Sequence, residues 1–484
     1  MLHAQICERA RIARDARFDG RFFTGVRTTG IYCRPICPVK PAKAAHVCFF
    51  PSAAAAERHG FRPCLRCRPE TAAGTPAWQG SAATVSRGLT LINSGCLDTH
   101  HVEELAAVLG MGARHLTRLF MKHLGAPPHA LARTRRVQMA KQLLDETSMP
   151  ITEIAFAAGF SSVRRFNTAF KDTYGQPPSH CRRYEHETAL SQGAVTLQLA
   201  YRPPFNWPLL VGLLTDEATP GVESVCDRAY CCTIAIGQMA GWFKVCPLLD
   251  RNLLCLSLQL PDYTRLKNVI ERVRTMFDLD ANPDQIAHQL AEHPHCASLV
   301  RHAAGLRLLG AWDGFEVAVR VLVARDVGRN RTATVMRKLA ATYGQPFLSS
   351  GAPHVTTLFP SATALMQASI ASLGLSGTAV HSIHTLAKAV VDGRMRFDPF
   401  LTFDELVSGL MRLVNLDQPS AHWIAMRTLG EPDANPFGAP SLPTALVPQW
   451  LTATTQDTLR PWRSYAAMLL ATACSTLPVD AGSS

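Results

Sequence analysis

Thr28-Thr29-Gly30-Ile31-Tyr32-Cys33-Arg34-Pro35-Ile36-Cys37, followed 26 residues later by Cys64-Leu65-Arg66-Cys67, decides how the front of this chain folds. Two close cysteine pairs at this separation are the pattern of four thiolates closing tetrahedrally on one zinc ion. A disulfide reading fits less well. The other eleven of the fifteen cysteines are scattered through the chain, which is the usage of a reducing compartment. The surroundings are cationic, with Arg34, Arg62, Arg66 and Arg68 beside the thiols. A zinc-thiolate cluster among cations can staple a fold, and it can also present a nucleophile to a nucleic acid. On spacing alone both readings stand.

Working outward, 484 residues suggest about three or four domains at roughly 150 residues each. A hydrophobic share of 47% against 18% charged residues describes a globular protein with ample core. No apolar run approaches the ~20 residues of a membrane span, so no membrane partner is expected. The first thirty residues mix Arg, Asp and Glu with apolar positions, and no secretory signal is expected either. Charge is uneven. Residues 1–190 hold 26 Lys and Arg against 14 Asp and Glu, an excess of +12, whereas residues 191–484 hold 23 of each. A basic front half points to a polyanion, double-stranded DNA in the first place, although a generic basic surface has the same composition.

Residues 1–78 carry the cysteine pattern and end in the loose stretch Thr71-Ala72-Ala73-Gly74-Thr75-Pro76. In residues 84–188 the apolar period is helical. Val102, Leu105, Ala106 and Leu109 recur, Gly110 interrupts, and Leu116, Leu119 and Phe120 resume. The unit repeats with Ile151, Ile154 and Ala155, a break at Gly159, then Phe166 and Phe170. Helix, glycine turn, helix is how a helix-turn-helix reads, with Ser161 and Ser162 at the N-cap of the second reading helix. The outer faces carry Arg114, His115 and Arg118 in the first unit and Ser162, Arg164 and Arg165 in the second, groups suited to a major groove. A solvated basic face is the alternative for either unit alone. From residue 193 the character changes. Val195, Leu197 and Leu199 alternate as a strand, further alternation runs through Leu253 to Leu260, and Tyr263 to Phe277 reads as a helix. Residues 193–308 are expected as an α+β domain and residues 309–480 as a helical one. The fold class expected is thus multidomain, mainly α with α+β parts.

The residues resemble three known families. Arg27–Cys37 with Gly60–Cys67 closely resembles the N-terminal domain of Ada-type proteins, which respond to DNA methylation. Ile154-Ala155-Phe156-Ala157-Ala158-Gly159-Phe160-Ser161-Ser162, continuing through Phe166-Asn167 and Phe170-Lys171 to Gly175, is similar to the signature of AraC-type regulators. Leu199–Pro204, Gly310–Glu316 and Arg460–Tyr465 resemble AlkA-type alkyladenine DNA glycosylases, whose all-α domain is of helix-hairpin-helix type. The Ada resemblance implies that Cys33, Cys37, Cys64 and Cys67 hold Zn²⁺ and that Cys33 takes the methyl group of a DNA methyl phosphotriester irreversibly. It also implies that Thr29, Lys40 and Arg66 approach the DNA backbone, a role their chemistry suits.

The glycosylase resemblance departs from its pattern at three places. The aspartate that assists departure of the base aligns, through Gly430-Glu431-Pro432-Asp433-Ala434-Asn435-Pro436, with Ala439. The glycine-bearing hairpin is represented by the shorter Leu416-Asp417-Gln418-Pro419-Ser420-Ala421. The wedge that replaces the flipped base falls in Val323-Ala324-Arg325-Asp326-Val327, where Asp326 would put a carboxylate into the stack. These losses imply a degenerate module unless displaced groups such as Asp433 or Asp417 serve instead. No guanine-O6 methyltransferase centre is visible, and His293-Pro294-His295-Cys296 reads as a surface turn.

Together the three resemblances imply an alkylation-response transcription regulator with a methyl acceptor at Cys33, fused to a degenerate glycosylase-like module. Two alternatives remain: a regulator that also excises alkylated purines, and a zinc-stabilised regulator without chemistry. RNA polymerase is the expected protein partner, and the expected location is a bacterial cytoplasm, at the nucleoid.

Overall fold

The computed structural model describes residues 4–14, 18, 22–67, 69, 82–93, 95–182, 194–226, 228–248, 251–349, 351–352, 354–397, 401–440, 442 and 450–476. These form two compact units. The first comprises Met1–Pro203, Leu248–Leu256 and Asp262–Arg274, and the second Pro204–Pro247, Ser257–Pro261 and Thr275–Ser484.

The first unit opens with the helix Ala4–Ala13 and a four-stranded sheet of β1 (Phe23–Val26), β2 (Ile31–Cys33), β3 (Val47–Phe50) and β4 (Arg62–Pro63), ordered β3-β1-β2-β4. The sheet is antiparallel except for the β2–β4 edge, where Ile31 pairs with Arg62 and Tyr32 with Pro63 in parallel. The module is small, and its core is correspondingly modest: Phe23, Tyr32 and Phe50 pack against the short helix Ala53–Arg58. Ala53, Ala54, Ala55 and Ala56 are all buried, since only methyl side chains let that helix lie so close to the sheet.

The expected pair of helix-turn-helix motifs is present. Val102–Val108 is followed by Ala113–Leu124, and Ile151–Ala157 by Val163–Tyr174, with the long helix Pro128–Glu146 between them. Each reading helix ends on a glycine at positive φ, Gly125 (69°) and Gly175 (76°), whose N–H closes onto the carbonyls of Met121 and Lys171. Leu116 and Phe120 anchor the first reading helix, and Phe166 and Phe170 the second. Asp98 ties this region together. Its carboxylate accepts from Arg136 Nε at 2.5 Å and from the buried Lys267 Nζ at 2.9 Å.

In the second unit, Glu223–Cys226, Ala229–Ile236 and Met239–Leu248 run antiparallel, Ser224 facing Cys231 and Cys232 facing Phe243. The helices Gly314–Val327, Arg329–Tyr343, Gly377–Val391, Phe403–Val414, Gln418–Leu429 and Arg463–Thr476 form the all-α part. Arg307, fully buried, joins three segments by donating to the carbonyls of Pro204, Asp278 and Ala281 at 3.1, 3.1 and 3.2 Å. Tyr465 Oη donates to Asp278 Oδ2 at 2.6 Å. Among the described residues no helix is long and apolar enough to cross a membrane.

Candidate metal centre and nucleic-acid interface

The turn after β1 is closed by the N–H groups of Thr29 and Gly30, both donating to the Val26 carbonyl, and Gly30 takes φ 65° there. The chain then runs along β2 to Cys33. Parallel pairing of β2 with β4 brings the second cysteine pair alongside, and Cys64 N donates to Tyr32 O at 3.0 Å. Cys37 follows in a turn whose N–H reaches the Arg34 carbonyl. Arg34 N donates to Cys67 Sγ at 3.3 Å, the kind of amide–sulfur contact that steadies a thiolate.

The four sulfurs of Cys33, Cys37, Cys64 and Cys67 lie within 4.8 Å of one another. A tetrahedral zinc with Zn–S distances of about 2.3 Å asks for sulfur pairs about 3.8 Å apart, so this donor set fits the ion in both number and spacing. The cluster is a zinc site. Without the metal, the crowded thiols share protons through mutual hydrogen bonds, which hold Cys37 and Cys64 down and push Cys33 and Cys67 up. Cys64 and Cys67 are buried, and Cys33 and Cys37 are half-exposed. The first pair is therefore the more open to an approaching group.

Thr29, Lys40 and Arg66 are all exposed. In the helix-turn-helix region Arg114, His115, Arg118, Arg164 and Arg165 are exposed on their reading helices. His115 Nδ1 and an Arg118 guanidinium nitrogen are 2.9 Å apart. Ser162 is the N-cap of Val163–Tyr174, its hydroxyl accepting from Arg165 N at 3.3 Å, and Ser161 accepts from Arg165 Nη1 at 3.1 Å.

The glycosylase-related positions lie in the second unit. Asp326 is exposed at the end of Gly314–Val327, where its carboxylate accepts from the backbone N–H of Ser376 at 2.9 Å and from the Ser376 hydroxyl. It thereby holds the start of Gly377–Val391. Ala439 is fully buried in a turn, its N–H on the Pro436 carbonyl. The hairpin between Phe403–Val414 and Gln418–Leu429 turns on Asn415 at φ 54°, with Asp417 capping the second helix through Ser420 N at 2.8 Å. Asp433 is held by Arg460 at 2.9 Å and Arg463 at 2.8 Å. In the 293–296 turn, His295 stacks on Trp450 with centroids 4.6 Å apart, and burial pushes the Cys296 thiol up to about 11.

Three family models match the chain: the metal binding domain of Ada over residues 6–70, a helix-turn-helix domain over 105–184, and the AlkA N-terminal domain over 196–313. A protein of Mycobacterium tuberculosis H37Rv, named a probable bifunctional transcriptional activator/DNA repair enzyme AlkA, is 38% identical over 475 residues, covering 96% of this chain and 95% of its own length. The chain belongs to the Ada–AlkA fusion family. Parts of it match shorter proteins. The bifunctional transcriptional activator/DNA repair enzyme AdaA of Bacillus subtilis is 32% identical over 174 residues, 36% of this chain and 80% of that protein. DNA-3-methyladenine glycosylase 2 of Escherichia coli is 25% identical over 281 residues, 56% of this chain and 94% of that protein. An Ada-like zinc-binding methyl-acceptor domain is thus fused to helix-turn-helix motifs and a distant relative of the glycosylases.

One feature of this Ada–AlkA fusion was not read from the sequence. The second unit holds a partly open pocket lined by Trp312, Trp423, Glu223, Glu316, Arg320 and Arg427 among others. Burial, with Glu223 beside it, pushes Glu316 up to about 8. Glu316 lies in the Gly310–Glu316 stretch, but its lining partners come from segments up to about a hundred residues away in sequence, and no local pattern announces them.

Proposed function

We propose that this protein is an alkylation-response activator: Cys33 accepts a methyl group from DNA methyl phosphotriesters, and the helix-turn-helix pair converts that event into promoter binding and RNA polymerase recruitment. The arrangement that carries the reading is the half-exposed Cys33, in a four-sulfur cluster, on the same unit as two exposed basic reading helices. Zinc, when bound, keeps the sulfurs deprotonated at neutral pH. The Cys33 sulfur forms a bond to the methyl carbon as the phosphotriester O–C bond breaks, and an ordinary phosphodiester anion leaves. Thr29, Lys40 and Arg66 hold the flanking phosphates. Uptake changes the formal charge of the centre from −2 to −1, which lessens repulsion from DNA and favours binding. The test is incubation with a duplex carrying one methyl phosphotriester, followed by peptide mass mapping. One methyl on Cys33, and none after Cys33→Ser, is the expected result. A methyl on Cys37, or none at all, overturns it.

For the second unit we infer base excision of alkylated purines such as 3-methyladenine, supported by likeness to the Mycobacterium tuberculosis protein along nearly the whole of both chains. A degenerate module is the second reading, favoured by the commitments of Asp326, Asp417 and Asp433 to helix ends and arginines. Release of 3-methyladenine from methylated duplex by the full chain separates the two. Catalytic turnover supports excision, and no release at high protein concentration supports degeneracy.

A further inference from the structure

Glu57, near the end of the helix Ala53–Arg58, has its carboxylate between the zinc module and the helix-turn-helix region. Tyr32 Oη donates to Glu57 Oε1 at 2.9 Å, and Thr134 Oγ1 donates to Oε2 at 2.5 Å. Gln138, one turn beyond Thr134, hydrogen bonds Tyr32 as well. Tyr32 and Thr134 are both buried. Around this chain of bonds, Ser52 Oγ donates to the Leu124 carbonyl at 2.9 Å and Arg58 Nη1 to that of Gly125 at 2.7 Å, at the end of the first reading helix.

Such a seam is directional. Apolar packing tolerates small slips, whereas a buried carboxylate with two fixed donors is satisfied in one docking geometry. Tyr32 directly precedes Cys33 on β2, and its carbonyl holds Cys64 N, so the strand that carries the acceptor sulfur also carries the phenol. Thr134 sits within Pro128–Glu146, the helix between the two motifs. A displacement of the Cys33 backbone therefore alters the Tyr32–Glu57 bond, and with it the fit against that helix.

We propose that Glu57 is a positioning residue that couples the state of Cys33, through Tyr32, to Thr134 and so to the orientation of the two reading helices. The inference rests on the methyl-acceptor reading and adds a mechanical route to the change of charge. The two routes differ in what breaks them: added salt screens the charge effect, while deletion of one hydroxyl severs the bond chain.

The test uses the full zinc-loaded chain, Tyr32→Phe, Thr134→Val and the double variant. The methyl donor is a duplex with one methyl phosphotriester, and the binding probe is a duplex selected from a random pool by methylated wild-type protein. Zinc content, methyl uptake by Cys33 and the ratio of probe affinities after and before methylation are measured. Couplings of this kind are typically 5–150-fold. Each single variant is expected to keep its zinc and its methyl uptake within about twofold, while the affinity ratio falls at least about threefold. The double variant is expected to fall no further, because both substitutions cut the same chain. Variants that keep the wild-type ratio overturn this inference alone. A wild-type chain that takes no methyl overturns the methyl-acceptor reading, and this inference with it.

Discussion

A carboxyl buried beside a second carboxyl prefers to keep its proton, and Glu316 is in that position. Thr219 Oγ1 donates to it at 2.6 Å, Arg320 lies 3.4 Å away, and Glu223 and Asp313 add negative charge. Its pKa in the fold, about 8, stands above the ordinary 4.5, so the native state binds this proton more tightly than the unfolded chain. Stability from this group is full below pH 4.5 and is lost as the pH rises through 8. Glu316→Gln keeps an acceptor for Thr219 and removes the titration. Its melting temperature should match wild type at pH 5 and exceed it at pH 9 by about 3 °C or more. Parallel melting curves across that range would show that Glu316 does not carry the effect. At the same scale Ala439, fully buried, is a poor site for a carboxylate. Ala439→Asp should lower stability by about 2 kcal/mol or more, measured by urea unfolding. A stable variant would place that side chain in a solvated pocket instead. The zinc ligands were legible because two short spacings and one chemistry suffice to name them. The burial of Glu316 was not, since it depends on residues such as Thr219 and Glu223 that only the fold brings near.

Elements are legible when their rules are local. Ser162 as an N-cap, the glycine breaks, and the alternation of Leu254, Leu256 and Leu258 in the strand Leu253–Gln259 follow from neighbouring residues alone. The parallel β2–β4 pairing does not, because it joins residues about thirty apart through no turn signal. The hairpin after Val414 lies between these cases. It lacks the glycine of the related pattern, yet Asn415 adopts the left-handed conformation that glycine would, and Asn is the next most tolerant residue there. Gly159 is a stricter requirement. It has φ 89°, and a Cβ would stand 2.7 Å from the Asp98 carboxylate that also binds Arg136 and Lys267. Gly159→Ala should cost about 2 kcal/mol or more and weaken DNA binding by the second motif, whereas Gly112→Ala, where nothing lies within 4 Å and φ is −81°, should cost only the loss of a tolerant N-cap residue, about 1 kcal/mol or less. Equal thermal stability of the two variants would mean that the Asp98 hub can shift without loss.

At the scale of the whole molecule, charge partition gives the DNA-binding reading a quantitative form. The +12 excess falls within residues 1–190, and the exposed Arg114, Arg118, Arg164 and Arg165 lie on the two reading helices there. If these side chains meet phosphates, each one displaces condensed counterions, and the logarithm of the affinity falls with the logarithm of salt concentration by about 0.9 for every phosphate neutralised. Arg114→Ala with Arg164→Ala should therefore lower the slope by about 2 and weaken binding to all sequences alike. If one of them reads a base edge, its loss relaxes specificity at one position and changes discrimination by about 1–3 kcal/mol. The measurement is binding of full-length protein to a selected duplex and to an unrelated one, each between 50 and 200 mM salt (roughly the range over which such affinities change most). A slope unchanged in the double variant would remove these helices from the interface and leave the cations Lys40 and Arg66, with the Thr29 hydroxyl, as the groups of the zinc module that hold the DNA. Chelating the zinc in the same titration should then abolish binding altogether, because the core around Phe23, Tyr32 and Phe50 is small and modules of this size commonly unfold when a structural zinc is removed. With the reading helices engaged, chelation leaves residual binding at a slope lower by about 2, the share of Lys40 and Arg66.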